Sequence, residues 1–328
     1  MNRSAVPPPV TKVLDAAQAW LPALMARAEE RLVAVVGEDG PLAGDAQATL
    51  RAGGKRLRPM LVLVCAGRDA GEEALRAATA IELVHMATLV HDDVLDAAPL
   101  RRGLPTVVAT AGREQATSVG DLLLSRAFTE LAVPGAERQV QHLARASVGL
   151  ALGELAQRRD AFDTSISADR YLERCRLKTA RLFECACLIG RASAGAIDDS
   201  IEQLERFGRE IGLAFQLLDD VLDVAGPAER TGKARGTDLL DGTVTLPLII
   251  ARERDPELAE LDLRSLTPES AERVCDRIAA TGALEEVRAD ARARVEDAKR
   301  ALDEAPGLDR SQRELLALVA DGVVERYA

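Results

Sequence analysis

The pentapeptide Asp-Asp-Val-Leu-Asp occurs twice in this chain, at Asp92–Asp96 and at Asp219–Asp223. Each copy ends an apolar run of helical character, at residues 81–90 and 211–218. On a helix, positions i and i+4 share a face and position i+1 lies about 100° away, so each copy presents a row of carboxylates. Such a cluster costs stability through mutual repulsion unless a cation neutralises it. Hard oxygen ligands suit Mg²⁺, which is held by one or two carboxylates plus substrate phosphates.

These pentapeptides alone leave two interpretations open. They are either two acidic walls that grip a diphosphate through magnesium or two solvated, Asp-rich helix ends. Either way they belong to helices, because 47% of the 328 residues are apolar, only 2% are aromatic, and Ala and Leu favour helices. With no strand-like period of two, we predict one all-α domain over residues 1–328, in which residues 1–10 form a flexible leader.

Charge and cysteine content exclude several classes of protein. The net charge of −11 argues against a nucleic-acid binder, which needs a basic face. Five scattered cysteines without zinc-like spacing, and no hydrophobic signal region, indicate reduced thiols in a cytoplasmic protein. No run of 18 apolar residues occurs, so no transmembrane helix is expected.

Two basic segments accompany the acidic pentapeptides. Lys55, Arg56 and Arg58 follow a glycine pair and precede an apolar helix, a pattern that favours an anion site over a solvated basic loop. Arg101 and Arg102 stand just beyond the first pentapeptide. Arginine binds phosphate oxygens in a bidentate fork, although one of the pair could simply neutralise a nearby aspartate.

The remaining pattern is helical from end to end. We predict a turn at residues 99–103 and a mobile, glycine-rich lid at residues 226–242. Apolar periodicity predicts helices over residues 10–36, 46–51, 60–66, 72–95, 120–132, 135–163, 168–190, 198–224, 268–280, 283–303 and 311–326. The helices after residue 257 carry no motif with a chemical role, so we interpret them as scaffold.

The order of these motifs resembles that of the trans-isoprenyl diphosphate synthases, the polyprenyl synthetase family. The motifs run from Gly-Gly-Lys-Arg-x-Arg-Pro through the two Asp-rich segments, Arg-Arg-Gly and Lys-Thr, to Thr-Leu-Pro at residues 245–247. The resemblance implies a large helical bundle around a central cavity, the isoprenoid synthase type, and a homodimer. It also implies Mg²⁺-dependent, head-to-tail condensation of isopentenyl diphosphate onto an allylic prenyl diphosphate.

The resemblance assigns roles to individual residues. The implied metal ligands, for about three Mg²⁺ ions per active site, are Asp92, Asp96, Asp219 and, through water, Asp223. Asp93, Asp220 and Lys178 complete the implied catalytic set. The implied contacts of isopentenyl diphosphate are Lys55, Arg58, His85 and Arg102. The implied contacts of the allylic diphosphate are Arg101, Lys178, Thr179, Gln216 and Lys233.

Product length is predicted from the helix that carries Asp92. The small residues Ala87 and Thr88, with Val84 one turn earlier, are expected to leave a tunnel open, while Met86 and Leu89 point elsewhere. We therefore predict a hexaprenyl or longer product; geranylgeranyl or farnesyl diphosphate is the alternative. Thr243 replaces a lysine found in many short-chain members, which also weakens a short-chain assignment.

Two further alternatives remain at this point. A terpene cyclase also uses an Asp-rich helix, but its second metal motif usually mixes Asn, Ser or Thr with Glu, whereas here it is all Asp. The chain could also be the catalytic subunit of a heteromeric synthase. A regulatory subunit is disfavoured because such subunits typically lose the Asp clusters.

Overall fold

The computed structural model describes residues 8–37, 40–195, 200–226 and 235–325. A short hairpin of β1 (Leu100–Arg101) and β2 (Leu104–Pro105) interrupts a helical chain. The helices are α1 (Pro8–Ala16), α2 (Leu21–Val36), α3 (Ala43–Arg51), α4 (Leu57–Ala66), α5 (Glu72–Leu95), α6 (Val107–Leu131), α7 (Glu137–Asp160), α8 (Ala168–Cys175), α9 (Arg181–Ser193), α10 (Ile201–Ala225), α11 (Thr237–Leu240), α12 (Leu246–Arg252), α13 (Pro256–Ala259), α14 (Pro268–Ala280), α15 (Ala283–Asp303) and α16 (Arg310–Glu325). The predicted all-α class is confirmed.

Local signals set several of the helix ends. The Thr106 and Ser167 hydroxyls accept backbone N–H bonds at the starts of α6 and α8. Thr267 begins α14 in a reciprocal capping box with Ser270. These short polar side chains satisfy N–H groups that a helix leaves unpaired in its first turn.

Three differences from the predicted helix boundaries are the most informative. The helix predicted over residues 10–36 is two helices, because Pro22 has no N–H to donate and stands where α2 begins. The first of them starts at Pro8, inside the predicted leader. α6 begins 13 residues before the predicted position 120 and bends at Gly112, whose φ is 84°. Because Gly112 interrupts the helical repeat, apolar periodicity does not indicate the part of α6 before residue 120.

A two-stranded hairpin stands where a simple turn was predicted. Leu100 pairs with Pro105 and Arg101 with Leu104. The two residues between the strands, Arg102 and Gly103, have φ values of 52° and 78°. Two consecutive left-handed residues match the right-handed twist of a tight hairpin. The hairpin follows α5 directly and so holds both arginines beside the first acidic segment.

The core brings the two acidic helices into one assembly. α5 packs most extensively on α6, and α10 on α15; α9 contacts α4, α5, α7 and α10. A continuous set of buried apolar side chains extends from Val10 to Val323. Among the described residues no helix is long and apolar enough to cross a lipid bilayer.

A π-helical segment, Arg176–Ala180, joins α8 to α9. Two glycines of neighbouring helices let it approach closely: a Cβ at Gly153 of α7 would lie 2.5 Å from the Lys178 nitrogen, and one at Gly212 of α10 would lie 2.6 Å from the Ala180 Cα. Such wide turns expose backbone and re-aim side chains, and they occur often at functional sites. The segment fixes where Lys178 and Thr179 stand.

Candidate functional site

Both acidic segments open into one cleft, which encloses about 1430 Å³ including its open mouth. This juxtaposition was the condition on which the two-wall hypothesis depended. The cleft is lined by many of the predicted site residues: Arg58, His85, Thr88, Asp92, Asp96, Arg101, Lys178, Thr179, Gln216, Asp219 and Asp220. It opens beside a smaller pocket to which His85, Leu89 and Arg101 also belong.

The first wall is the C-terminal end of α5. Burial raises the pKa of Asp92, and the Lys178 ammonium 4.0 Å away partly offsets that effect. Asp96 accepts a hydrogen bond from Arg158 at 2.5 Å. Asp93 faces the smaller pocket, where Arg101 donates to its Oδ1 at 2.8 Å. The first and last aspartates therefore face the cleft, while the middle one anchors the hairpin.

The second wall lies within α10. Asp219 is exposed to the cleft. Asp220 is buried and accepts hydrogen bonds from the Tyr171 hydroxyl at 2.5 Å and from the Gln216 amide at 2.7 Å. Burial raises the pKa of Asp220 to about 7, although both hydrogen bonds act in the opposite direction. Asp223 accepts a bond from the backbone N–H of Asp238 at 3.3 Å and stands behind the cleft wall.

The π-helical segment connects the two walls. The Lys178 ammonium donates to Glu154 of α7, and the Thr179 hydroxyl donates to Gln216 at 2.8 Å. Burial opposes ionisation of Glu154, but the charges and hydrogen bonds of Lys178 and Arg158 outweigh it and lower the Glu154 pKa. Lys178 thus stands between a carboxylate of α5 and one of α7.

Positive charge is concentrated where the smaller pocket meets the cleft: Arg101 lines both, Arg102 lines the pocket, and Arg58 lines the cleft. Burial, together with Arg58 and Arg102, lowers the pKa of His85 well below its ordinary value, so this imidazole is neutral at pH 7. Burial also lowers the pKa of Arg58 to about 10, which leaves its guanidinium charged. Its Nε has no hydrogen-bond partner within the described part of the chain, and the group stacks 4.5 Å from the Phe183 ring centroid. A charged fork held in this way is suited to an anionic ligand.

Some predicted residues lie elsewhere. Arg102 lines the smaller pocket and not the main cleft, while Lys55 is half-buried and lines neither. Lys233, with most of the predicted lid, falls outside the described residues. His91 packs against Gly120, lies 3.3 Å from Asp121 and does not line the cleft.

The structure corrects the expected orientation of Leu89 and places the product-length residues on two sides of α5. Leu89 lines the cleft with Thr88, whereas Ala87 and Val84 are buried in the core and do not form its wall. At about 100° per residue, Thr88 and Leu89 flank the direction of Asp92 by about 40° and 60°, and Ala87 lies about 140° away. 

Sequence reasoning also missed residues that hold the site. The side chain of Arg56, taken with its neighbours as an anion ligand, instead forms ion pairs with Glu29 and Glu82. Tyr171 and Arg158 were not identified either. Of these residues, only Arg158 could have been found from the sequence, because it lies four residues after Glu154 and so shares a helix face with it.

The donor set fits Mg²⁺ held together with a phosphate ligand. Among the described residues, no three His, Cys, Asp or Glu side chains converge into a ready-made metal cage. Instead Asp92 and Asp219 face each other across the cleft with cations nearby. Proteins usually bind Mg²⁺ in this way, through few carboxylates and the oxygens of a phosphorylated ligand.

Comparisons with known proteins agree with this geometry. The family model described as polyprenyl synthetase matches residues 41–279. A heptaprenyl diphosphate synthase component 2 of Geobacillus stearothermophilus is 42% identical over 73% of this chain and 75% of its own length. A geranylgeranyl diphosphate synthase of Methanosarcina mazei is 35% identical over 84% of this chain and 86% of its own.

The structural comparison covers nearly the whole chain. The crystal structure of a polyprenyl synthase from Caulobacter crescentus, complexed with calcium and isoprenyl diphosphate, has a TM-score of 0.89 and 36% identity, and covers 97% of this chain and 98% of that one. This chain belongs to the polyprenyl synthetase family and has its isoprenoid synthase fold. The predicted family, fold type and prenyltransferase class are therefore confirmed.

Proposed function

We propose that this chain condenses isopentenyl diphosphate head-to-tail onto an allylic prenyl diphosphate. The observation that carries the proposal is that both Asp-Asp-Val-Leu-Asp segments face one cleft, and that a basic pocket adjoins it. The cleft provides a place for an ionising allylic diphosphate, and the pocket provides one for a second diphosphate. A terpene cyclase needs no second diphosphate site, so the basic pocket favours condensation.

The allylic diphosphate is held between the two acidic walls. Asp92 and Asp96 would hold Mg²⁺ on one side, and Asp219, with Asp223 through water, would hold it on the other, for about three ions in all. Bound Mg²⁺ would stabilise the negative charge that develops as the allylic C–O bond breaks. The calcium and isoprenyl diphosphate in the Caulobacter crescentus protein support a divalent cation at this kind of site.

The chain's own residues orient the reactants. Lys178, Thr179 and Gln216 contact the allylic diphosphate with Arg101 and Lys233. The charges of Lys178 and Arg101 thereby stabilise the leaving group. Arg58, Lys55, Arg102 and the neutral His85 hold isopentenyl diphosphate with its double bond towards the allylic carbon. Electrostatics and positioning supply the rate, and the released diphosphate takes the proton that the product loses. Asp93 and Asp220 act indirectly: they accept hydrogen bonds from Arg101 and Gln216 and so hold these two side chains in place.

We assign a hexaprenyl or longer product, with geranylgeranyl or farnesyl diphosphate as the alternative. Identity is higher to the heptaprenyl synthase component than to the geranylgeranyl diphosphate synthase. No aromatic side chain stands at Val84, Ala87 or Thr88 on α5. Phe128 on α6 packs against the same core and is a candidate for the tunnel floor.

The test is a product assay on the purified chain. With isopentenyl diphosphate, farnesyl diphosphate and Mg²⁺, we expect chromatography to show products of about six or more isoprene units. Products no longer than geranylgeranyl diphosphate would support the short-chain alternative, and absence of condensation would refute the proposal. Ala87→Phe and Leu89→Phe should both shorten the product; if neither does so, the tail does not run along α5.

We also propose that two copies associate through α7. Val148, Leu152 and Leu155 form an exposed apolar stripe on this helix, with exposed fractions of 60%, 52% and 45%. Positions i, i+4 and i+7 share a face, so a second copy could cover the stripe with its own. Light scattering should give a dimer that Leu152→Glu converts to a monomer. A monomeric wild type would instead favour a second component, as the name of the Geobacillus relative implies for that protein.

The thiols and the apolar core support the expected location and domain organisation of the enzyme. All five cysteines are buried and unpaired, which supports the reduced, cytoplasmic location expected from the sequence. The apolar core links helices from both ends of the chain, which supports a single catalytic domain over residues 1–328. Mild proteolysis that released a stable fragment able to condense the substrates would contradict the single domain.

A further inference from the structure

We infer that Arg56 is a positioning residue: it clamps the basic loop at residues 53–58 to α2 and α5, and so sets where the second diphosphate binds. The inference rests on the proposed condensation and concerns one of its two substrates. Arg56 is 6% exposed and lies between two cations of the predicted anion site. Its side chain does not line the main cleft; it lies in the wall of the smaller pocket, where it is paired with Glu29 and Glu82.

The contacts form a three-residue clamp. Arg56 donates to both carboxylate oxygens of Glu29 on α2, from Nε at 2.8 Å and from Nη2 at 3.0 Å. Its Nη1 donates to Glu82 of α5 at 2.8 Å. The side chains of Arg56 and Glu82 are 5% and 4% exposed, whereas that of Glu29 is 34% exposed. A planar guanidinium with both edges occupied can adopt only one orientation, so the clamp fixes the loop against two helices.

The clamp is coupled to the ligand-facing residues through short stretches of backbone. Arg56 caps α4 in a left-handed conformation with φ 50°, and Arg58 follows in the first turn of that helix. Glu82 lies three residues before His85 on α5, so the ion pair ties the loop to the turn that presents the imidazole. Gly54 lies close over the pair, because a Cβ there would come within 2.9 Å of the Arg56 Nη1.

The hairpin is joined to the same arrangement. Arg102 donates to the Ala52 carbonyl at 3.4 Å, and its Nη1 lies 3.4 Å from the ideal Cβ position of Gly54. Glu82 also acts electrostatically on Arg58 and favours its charged form. The carboxylates of Glu29 and Glu82 thus reduce the repulsion among guanidinium groups that must stand close together to receive one anion. Loss of Arg56 should leave Arg58 and Arg102 in the site but shift them from their positions.

The main test is Arg56→Asn. Asparagine tolerates the left-handed conformation, so the variant removes the ion pairs without forcing the backbone to change. We expect the KM for isopentenyl diphosphate to rise on the order of tenfold or more, since a small misplacement of a binding group has effects of this size. The KM for the allylic substrate and kcat at saturation should change by less than about twofold, because the acidic walls are untouched. Equal changes in both KM values, or none, would overturn the inference.

Two milder variants test the same inference if Arg56→Asn does not fold. Arg56→Lys keeps the charge but not the fork, and should give an intermediate KM for isopentenyl diphosphate. Glu29→Gln removes only the more exposed partner and should act in the same direction. Glu314→Gln, which breaks an exposed pair with Arg310 far along the chain, is the matched control and should change neither KM. An effect of this control equal to that of Glu29→Gln would overturn the inference.

A binding measurement separates this inference from the condensation itself. Calorimetry with inorganic pyrophosphate in the absence of Mg²⁺ reports on the cationic side chains without the contribution of the metal sites. We expect Arg56→Asn to weaken this binding on the order of tenfold, whether or not the wild type condenses the substrates. A wild type that binds pyrophosphate but forms no product would refute the proposed function only. Unaltered pyrophosphate affinity in Arg56→Asn would refute the clamp only.

Discussion

The two copies of Asp-Asp-Val-Leu-Asp are identical in sequence and differ in surroundings. The first ends its helix, and Asp96 is the C-cap of α5. The second lies inside α10, which continues to Ala225. In the first copy the middle aspartate has a cation, Arg101; in the second it has neutral donors, Tyr171 and Gln216.

This difference shows that neighbours decide what a shared motif does. Asp93 forms an ion pair with Arg101, whereas burial favours the protonated form of Asp220 and raises its pKa. The outer aspartates Asp92 and Asp219 nevertheless face the same cleft. The copies should therefore be equivalent at their first positions and unequal at their second.

The largest expected effect tests whether Asp92 and Asp219 have equivalent roles. Asp92→Asn and Asp219→Asn each remove one wall's leading carboxylate, and each should lower kcat by about a thousandfold or more, since metal-assisted charge stabilisation supplies several kcal/mol. Single-turnover assays measure the loss, and circular dichroism checks the fold. Full activity in either variant would show that its wall does not hold the reacting diphosphate.

A smaller effect should follow from disturbing the link between the walls. Gly153→Ala would place a methyl group 2.5 Å from the Lys178 backbone nitrogen, so the π-helical segment must move. Overpacking of this kind costs about 1–3 kcal/mol. We expect the KM for the allylic substrate to rise on the order of tenfold, because Lys178 and Thr179 shift together.

The matched control for that variant is Gly44→Ala, on α3, where an added Cβ meets no atom within 4 Å. It should leave both KM values unchanged. If Gly153→Ala behaves like Gly44→Ala in initial-rate measurements, the position of the π-helical segment does not govern allylic binding.

The smallest expected effect is on the pH dependence of stability, which should differ between Asp220 and Asp93, the second aspartates of the two copies. The pKa of Asp220 is about 7 in the folded chain and about 4 for an unfolded aspartate, so the folded state binds the extra proton between these values. The stability that this group contributes is present below about pH 4 and is lost as the pH rises through about 7. Without divalent ions, the melting temperature should fall by a few degrees from pH 5 to pH 8 on this account.

The comparison is made with two asparagine variants. Asp220→Asn should remove this component of the pH dependence, seen as a flatter curve than that of the wild type. Asp93→Asn should lower the melting temperature through loss of the Arg101 ion pair and keep the slope. Parallel curves for wild type and Asp220→Asn in a thermal scan would show that Asp220 does not titrate in this range.

The sequence alone determined the helices, the two acidic segments and the order of motifs that indicates the family. These features are local: the apolar repeat of 3.6 residues and short motifs can be read without knowing which helices meet. The start of α6 and the break before α2 escaped this reading, because single residues such as Gly112 and Pro22 interrupt the repeat.

Only the tertiary structure decided which partner each charged group receives. Glu29 and Glu82 lie 27 and 26 residues from Arg56, and Tyr171 lies 49 residues from Asp220. No periodicity encodes such pairs, because they depend on how separate helices pack. The same holds for Leu89, whose place in the cleft wall follows from the rotation of α5 against its neighbours. Helix packing therefore gives two identical pentapeptides different chemical environments.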